Sequence, residues 1–251
     1  MNYRTIEICA NSAESAARAQ QGGAARVELC AGIPEGGTTP SCGEIMATRR
    51  LLTSTRLNVI IRPRGGDFLY SPLEEEIMAH DIDTARQLGA DGVVIGCLKA
   101  DGSIDVEMAA RLMEHATGMS VTFHRAFDVC RDPFEALEQI IGLGIDRILT
   151  SGQEATAEQG IPLLRRLVQQ AAGRIIIMPG CGVNARNIGK IEAETGAAEF
   201  HLSARSTVES AMQYRNPRVS MGGTVHIDEY SRPLTDPSIV RQVATPSGTG
   251  I

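Results

Sequence analysis

Gly23-Ala24-Ala25-Arg26-Val27-Glu28-Leu29-Cys30 is the stretch on which the architecture turns, because the chain repeats its plan. Gly89-Ala90-Asp91-Gly92-Val93-Val94-Ile95-Gly96, Gly144-Ile145-Asp146-Arg147-Ile148-Leu149-Thr150-Ser151 and Gly196-Ala197-Ala198-Glu199-Phe200-His201-Leu202-Ser203 follow it. Each has a glycine closing a helical stretch, a short spacer and a β-like run, and glycine is the usual residue where a helix stops. Successive copies lie 52 to 66 residues apart, too long for one βα unit and right for two. With the intervening units filled in, the pattern predicts eight strands alternating with helices. That is an α/β fold, a single (β/α)8 TIM barrel.

The length of 251 residues agrees with one such barrel, whose usual size is about 250. Residues 1–244 read as the barrel domain and 245–251 (TPSGTGI) as a disordered tail. Strands are expected near 5–9, 26–30, 58–62, 92–97, 119–124, 146–150, 174–178 and 198–203. Helices are expected near 12–21, 41–52, 73–88, 105–116, 133–142, 156–171 and 184–194, with starts marked by Asn11 or Ser12, Ser71-Pro72, Asp132-Pro133 and Asn184. The eighth unit is irregular. A long polar segment, 206–236, reads as a lid-like loop or an oligomer contact, followed by a short helix near 237–243.

Composition narrows the function. The net charge of −6 gives no reason to expect nucleic acid or an anionic membrane surface. No apolar run approaches the ~18 residues of a membrane span, and Met1 to Arg4 lead straight into a strand without a leader's apolar region. Cys9, Cys30, Cys42, Cys97, Cys130 and Cys181 show no CxxC spacing, so free thiols in a cytoplasmic setting are expected. Lys99 and Lys190 are the only lysines, which disfavours a Schiff-base mechanism.

Strand side chains alternate between faces. Ile6 and Ile8 suit the helix-facing side, so Glu7 and Cys9 point into the barrel. The same parity puts Glu28 and Cys30, then Glu199, His201 and Ser203, inside, joined by Arg62, Thr122 and His124. Buried carboxylates need partners, for which Arg62, Arg64, Arg125 and Arg205 are the candidates. Either an internal salt-bridge network or a functional site accounts for this set, and barrels of this kind place chemistry at the C-terminal strand ends. The turns there are small and glycine-rich: Thr150-Ser151-Gly152, Pro179-Gly180-Cys181-Gly182 and Ser203-Ala204-Arg205. They suggest an anionic ligand. On this reading Arg62, Arg64, Arg125 and Arg205, with Ser151, Gly180, Gly182 and His201, hold a small anionic metabolite. Glu7, Glu28 or His124 then supply acid and base for a lyase or isomerase reaction. His80 and His115 fall in helical runs and read as surface or packing residues. No HExxH or zinc-type spacing occurs.

Several words are distinctive: Glu35-Gly36-Gly37-Thr38-Thr39-Pro40-Ser41, Arg62-Pro63-Arg64-Gly65-Gly66-Asp67-Phe68, Thr122-Phe123-His124-Arg125-Ala126-Phe127-Asp128 and Asp228-Glu229-Tyr230-Ser231. Together with Val27-Glu28-Leu29-Cys30 they resemble the CutC family, the copper homeostasis proteins, over residues 5–235. The resemblance implies a TIM barrel, a cytoplasmic location, homo-oligomers and Cu(I) bound by two cysteines that map onto Cys9 and Cys30. Neighbouring parallel strands are about 4.8 Å apart, so inward thiolates on β-segments one and two can share one soft ion. The chain departs from the resemblance in Cys181, which stands where relatives commonly carry glycine or alanine.

Overall fold

The glycines of the repeated stretch behave as their sequence predicts. Gly23, Gly89, Gly144 and Gly196 adopt φ of +87°, +81°, +75° and +77°, left-handed values that cost a side-chain-bearing residue about 1–2 kcal/mol. Each ends a helix and delivers the chain to the next strand in the computed structural model, which describes residues 4–221 and 228–244.

The strands are β1 (Thr5–Ala10), β2 (Arg26–Leu29), β3 (Arg56–Ile60), β4 (Gly92–Ile95), β5 (Ser120–Phe123), β6 (Arg147–Thr150), β7 (Ile176–Pro179) and β8 (Glu199–Leu202). Between them run α1 (Ala13–Gln21), α2 (Cys42–Leu51), α3 (Pro72–Gln87), α4 (Val106–His115), α5 (Pro133–Gly142), α6 (Ile161–Ala171) and α7 (Ile188–Thr195). All ladders are parallel, in the order β7-β6-β5-β4-β3-β2-β1-β8. β7 packs beside β8 and completes the ring. Helix starts are fixed by side-chain caps. Ser12, Ser41, Ser71, Asp105 and Asp132 each accept a first-turn N–H, and Ser71 with Glu74 forms a reciprocal capping box behind Pro72.

Burial separates two compartments. Ile6, Ile8, Val27, Leu29, Val59 and Val93 belong to the main core between strands and helices. Cys30, Ile60 and Val94 form a separate small cluster inside the ring, with Cys9 and Ile33 packed against it. The alternation expected from the sequence therefore holds.

Three elements differ from expectation. α6 starts at Ile161 rather than 156, because Gly160 is pressed against the Ser151 carbonyl and Pro162 marks the first turn. α7 starts at Ile188 rather than 184, since Asn184 closes a turn by accepting from the Arg186 N–H. The polar segment after β8 is not a plain loop. Its ends form an antiparallel ladder, β9 (Arg205–Glu209) with β10 (Ser231–Thr235), and α8 (Pro237–Ala244) follows. Ser15 Oγ accepts the Thr235 N–H at 3.2 Å and Asn11 donates to the Pro233 carbonyl at 3.0 Å. Val240 sits so close over Gly22 that a Cβ there would lie 2.5 Å from it. These contacts seat α8 against α1 as the eighth helix of the barrel. The tail at 245–251 and His226 lie outside the described residues.

Candidate metal centre and barrel mouth

The floor of the lumen is ionic. Register pairs Glu7 with Arg26, and the Arg26 Nε donates to Glu7 while its Nη2 donates to Glu199 at 2.6 Å. Arg147 lies 3.4 Å from Glu199 and donates to Ser120 at 2.7 Å and Thr122 at 3.2 Å. Burial would raise the Glu7 carboxyl, but Arg26 and His201 hold it down at about 2. The sequence reading assigned the compensating charge to Arg62, Arg64, Arg125 or Arg205; the structure assigns it to Arg26 and Arg147. Both share inward parity with Glu28 and Leu149, a signal that was present and that the glutamates overshadowed.

Above this floor stands a thiol pair. Cys9 Sγ and Cys30 Sγ are 3.3 Å apart, and Glu28 offers an oxygen so that all three ligand atoms lie within 4.8 Å of one another. The Arg205 Nη2 is 3.2 Å from Cys9 Sγ. The hydrogen bond from Cys30 draws the Cys9 thiol well below its ordinary range against the effect of burial, and His201 and Arg205 add to the draw. The same shared hydrogen bond, with burial, pushes Cys30 up. One shared hydrogen bond thus moves the two thiols in opposite directions, Cys9 down and Cys30 up. Burial pulls His201 down, but Glu28, Cys9 and Glu7 outweigh it and raise it well above its ordinary value. His201 Nδ1 meets Glu7 at 2.7 Å and its Nε2 stands 3.8 Å from Glu28, which links mouth to floor. Burial raises Glu28 to about 8.

Two spaces border this cluster and share Cys9, Gly36, Arg125 and His201 on their walls. An outer cleft of about 530 Å³ is bordered by Cys9, Arg125, Cys181, Gly182, His201 and Arg205. A smaller chamber of about 120 Å³ is bordered by Cys9, Glu28, Arg62, Phe68, His124 and His201. Other residues singled out from the sequence lie elsewhere. Arg64 turns onto Glu74 at 2.5 Å and Asp67 at 3.0 Å. Ser151 is enclosed by Asp128 and the Glu154 carbonyl. Arg125 borders both spaces but is held by Asp128 at 2.6 Å. Gly180 is packed beneath them against Leu149 and His201. Asp128, which also binds Thr150 and the Ser151 N–H, organises this rim; the word Thr122–Asp128 contained it without revealing its role. Lys99 is exposed in the loop after β4, and His80 and His115 lie on helices beside Glu76 and Asp83.

These features define a (β/α)8 barrel that carries a dithiol at the C-terminal mouth of β1 and β2. The chain belongs to the CutC family, whose model matches residues 4–206. A CutC family protein of Bacteroides thetaiotaomicron is 67% identical over 94% of both chains. The human protein named copper homeostasis protein cutC homolog is 50% identical over 94% of this chain and 86% of its own. A crystal structure of a CutC protein from Streptococcus agalactiae superposes with a TM-score of 0.76 at 37% identity, over 79% of this chain and 97% of that one.

Proposed function

We propose that this protein serves copper homeostasis by binding Cu(I) as cargo through Cys9 and Cys30. The observation that carries the reading is the 3.3 Å approach of the two sulfurs, with Cys9 at the cavity wall and Cys30 buried behind it. Thiolates are the soft donors that select Cu(I), and Cys9 is the thiol of the pair whose deprotonation its surroundings favour. Cys30 loses its proton on binding, so affinity rises with pH. Ile33, Ile60 and Val94 pack against the pair and limit water there, which tunes such a centre. Glu28 is near enough to add a harder, oxygen donor.

The cytoplasm is the setting we assign, supported by six free cysteines, the state a reducing compartment maintains. Self-association is part of the same reading, supported by exposed Met46, Leu69, Leu73 and Ile77 on α2, α3 and the preceding loop. Among the described residues no helix is long and apolar enough to cross a membrane.

Anaerobic Cu(I) titration against a competing chelator tests the centre. The double variant Cys9→Ser, Cys30→Ser should lose binding while its circular dichroism stays that of the parent. Undiminished affinity in a folded double variant would remove the thiol site from consideration.

A further inference from the structure

The inner chamber holds a positive charge that the protein leaves unanswered. Arg62 is only 5% exposed, and the hydrogen bonds its guanidinium makes go to neutral main-chain carbonyls: Glu35 at 2.8 Å, Gly37 at 2.9 Å and Gly66 at 2.9 Å. Among the described residues no carboxylate lies within ion-pair distance of it, and its Nε–H has no acceptor. The phenol of Tyr70 lies against the guanidinium and interacts with it through charge and hydrogen bonding, although among the described residues neither its hydroxyl nor the Arg62 Nε–H has a well-aligned partner. A buried guanidinium without a counter-charge is costly, and native proteins pair such groups. Three fixed carbonyls hold the head group in one place, an arrangement suited to presenting it rather than to neutralising it.

His124 adds a second donor. It is 4% exposed, and its Nδ1 accepts the Ala126 N–H at 3.1 Å. In the neutral ring the proton therefore sits on Nε2, and among the described residues Nε2 has no partner. Gly96 leaves the space the ring occupies, since a Cβ there would collide with it. Phe68 packs over both groups, with ring distances of 5.0 Å to Arg62 and 5.0 Å to His124. The one carboxylate on the chamber wall, Glu28, approaches His201 and not Arg62.

We propose that this chamber binds a small carboxylate, received between the Arg62 guanidinium and the Nε2–H of His124. The Arg62 guanidinium with its free Nε–H and the Nε2–H of His124 suit the two oxygens of a carboxylate, whereas His201 and Arg125 on the same wall are already held by Glu7 and Asp128. A phosphate dianion asks for more donors than these residues leave free. The wider cleft above, flanked by Arg205 and Gly182, accommodates whatever extends from the carboxylate. The site adjoins the thiol pair but none of its donors is a sulfur, so the proposal does not depend on copper binding. It gives the anionic-metabolite reading of the barrel mouth a ligand class and two anchoring residues, without Arg64 or Ser151.

The test uses the whole, metal-free protein with pyruvate, lactate and glycolate as probes, and inorganic phosphate and chloride for comparison. Isothermal titration reads affinity, and the ¹⁵N resonance of His124 Nε2 reads occupancy. At least one carboxylate should bind at millimolar concentration or better and shift that resonance. His124→Phe should weaken it about tenfold or more, the value of one hydrogen bond to a charged group. Arg62→Lys should abolish the preference over chloride. Should the arginine variant not fold, the resonance in the parent protein and the histidine variant still decide. No shift with any carboxylate, an unchanged affinity in His124→Phe, or phosphate binding as well as carboxylate would overturn the proposal. Repeating the titration on Cys9→Ser, Cys30→Ser separates the two readings, since carboxylate binding should survive there.

Discussion

The floor and the mouth of the same lumen treat charge in opposite ways. On the floor, Glu7, Arg26, Arg147 and Glu199 neutralise one another within ion-pair contact. At the mouth, among the described residues, Arg62 just after β3 has no carboxylate, His124 just after β5 has an idle donor, and the Cys9 and Cys30 sulfurs face each other. A closed network holds the barrel together, whereas unfilled donors and two facing thiols are features that a bound species completes. Inward charge in a barrel is therefore not by itself a sign of function; its lack of an internal partner is.

The sharpest way to break this contrast is to remove one floor charge. Glu7→Gln leaves Arg26 with a single carboxylate in a buried site, and such a break costs about 3–5 kcal/mol; chemical denaturation should show it. Cys9→Ser, Cys30→Ser at the mouth should instead cost no more than about 2 kcal/mol, since the thiols stabilise little beyond their own packing. Comparable losses at both levels would erase the distinction.

Acid titration sharpens it further. The Glu7 carboxyl lies at about 2 in the folded protein, below its ordinary 4.5. Its contribution is thus complete above pH ~4.5 and is lost as pH falls toward 2, about 3 kcal/mol in all. His124 is also depressed, to about 3 by burial and the nearby Arg62 charge. Its contribution is complete above its ordinary 6.5 and drains away as pH falls toward 3. Stability measured against pH should flatten below 4.5 in Glu7→Gln and between 6.5 and 3 in His124→Gln. A parent curve without slope in those windows would contradict both environments.

The smallest effect concerns the rim. Cys181 carries φ of +72°, a left-handed conformation that glycine occupies freely. Cys181→Gly should stabilise by up to about 1 kcal/mol, read as a modest rise in Tm, with Cu(I) affinity unchanged. A fall in affinity would bring this third thiol into the metal site.

Much of this was legible beforehand for a simple reason. Glycine stops and two-residue alternation are local properties, so the strands and the inward set Glu7, Cys9, Glu28, Cys30, Glu199 and His201 followed from neighbours in the chain. The ladder of β9 with β10 was not, because its partners are separated by a polar stretch with no hairpin signal. Arg62 illustrates the limit well: parity placed it inside, but only the folded loops showed that carbonyls, not glutamates, receive it.

The amino-acid order alone determined the eight-unit barrel and which side chains enter its lumen, since both depend on backbone periodicity over a few residues. Tertiary structure decided which of those side chains meet. Strand register set Arg26 beside Glu7 and Glu28 beside Cys9, and the reach of long side chains across the ring joined Arg26 to Glu199. Such pairings depend on distances between segments remote in the chain, which no local pattern encodes.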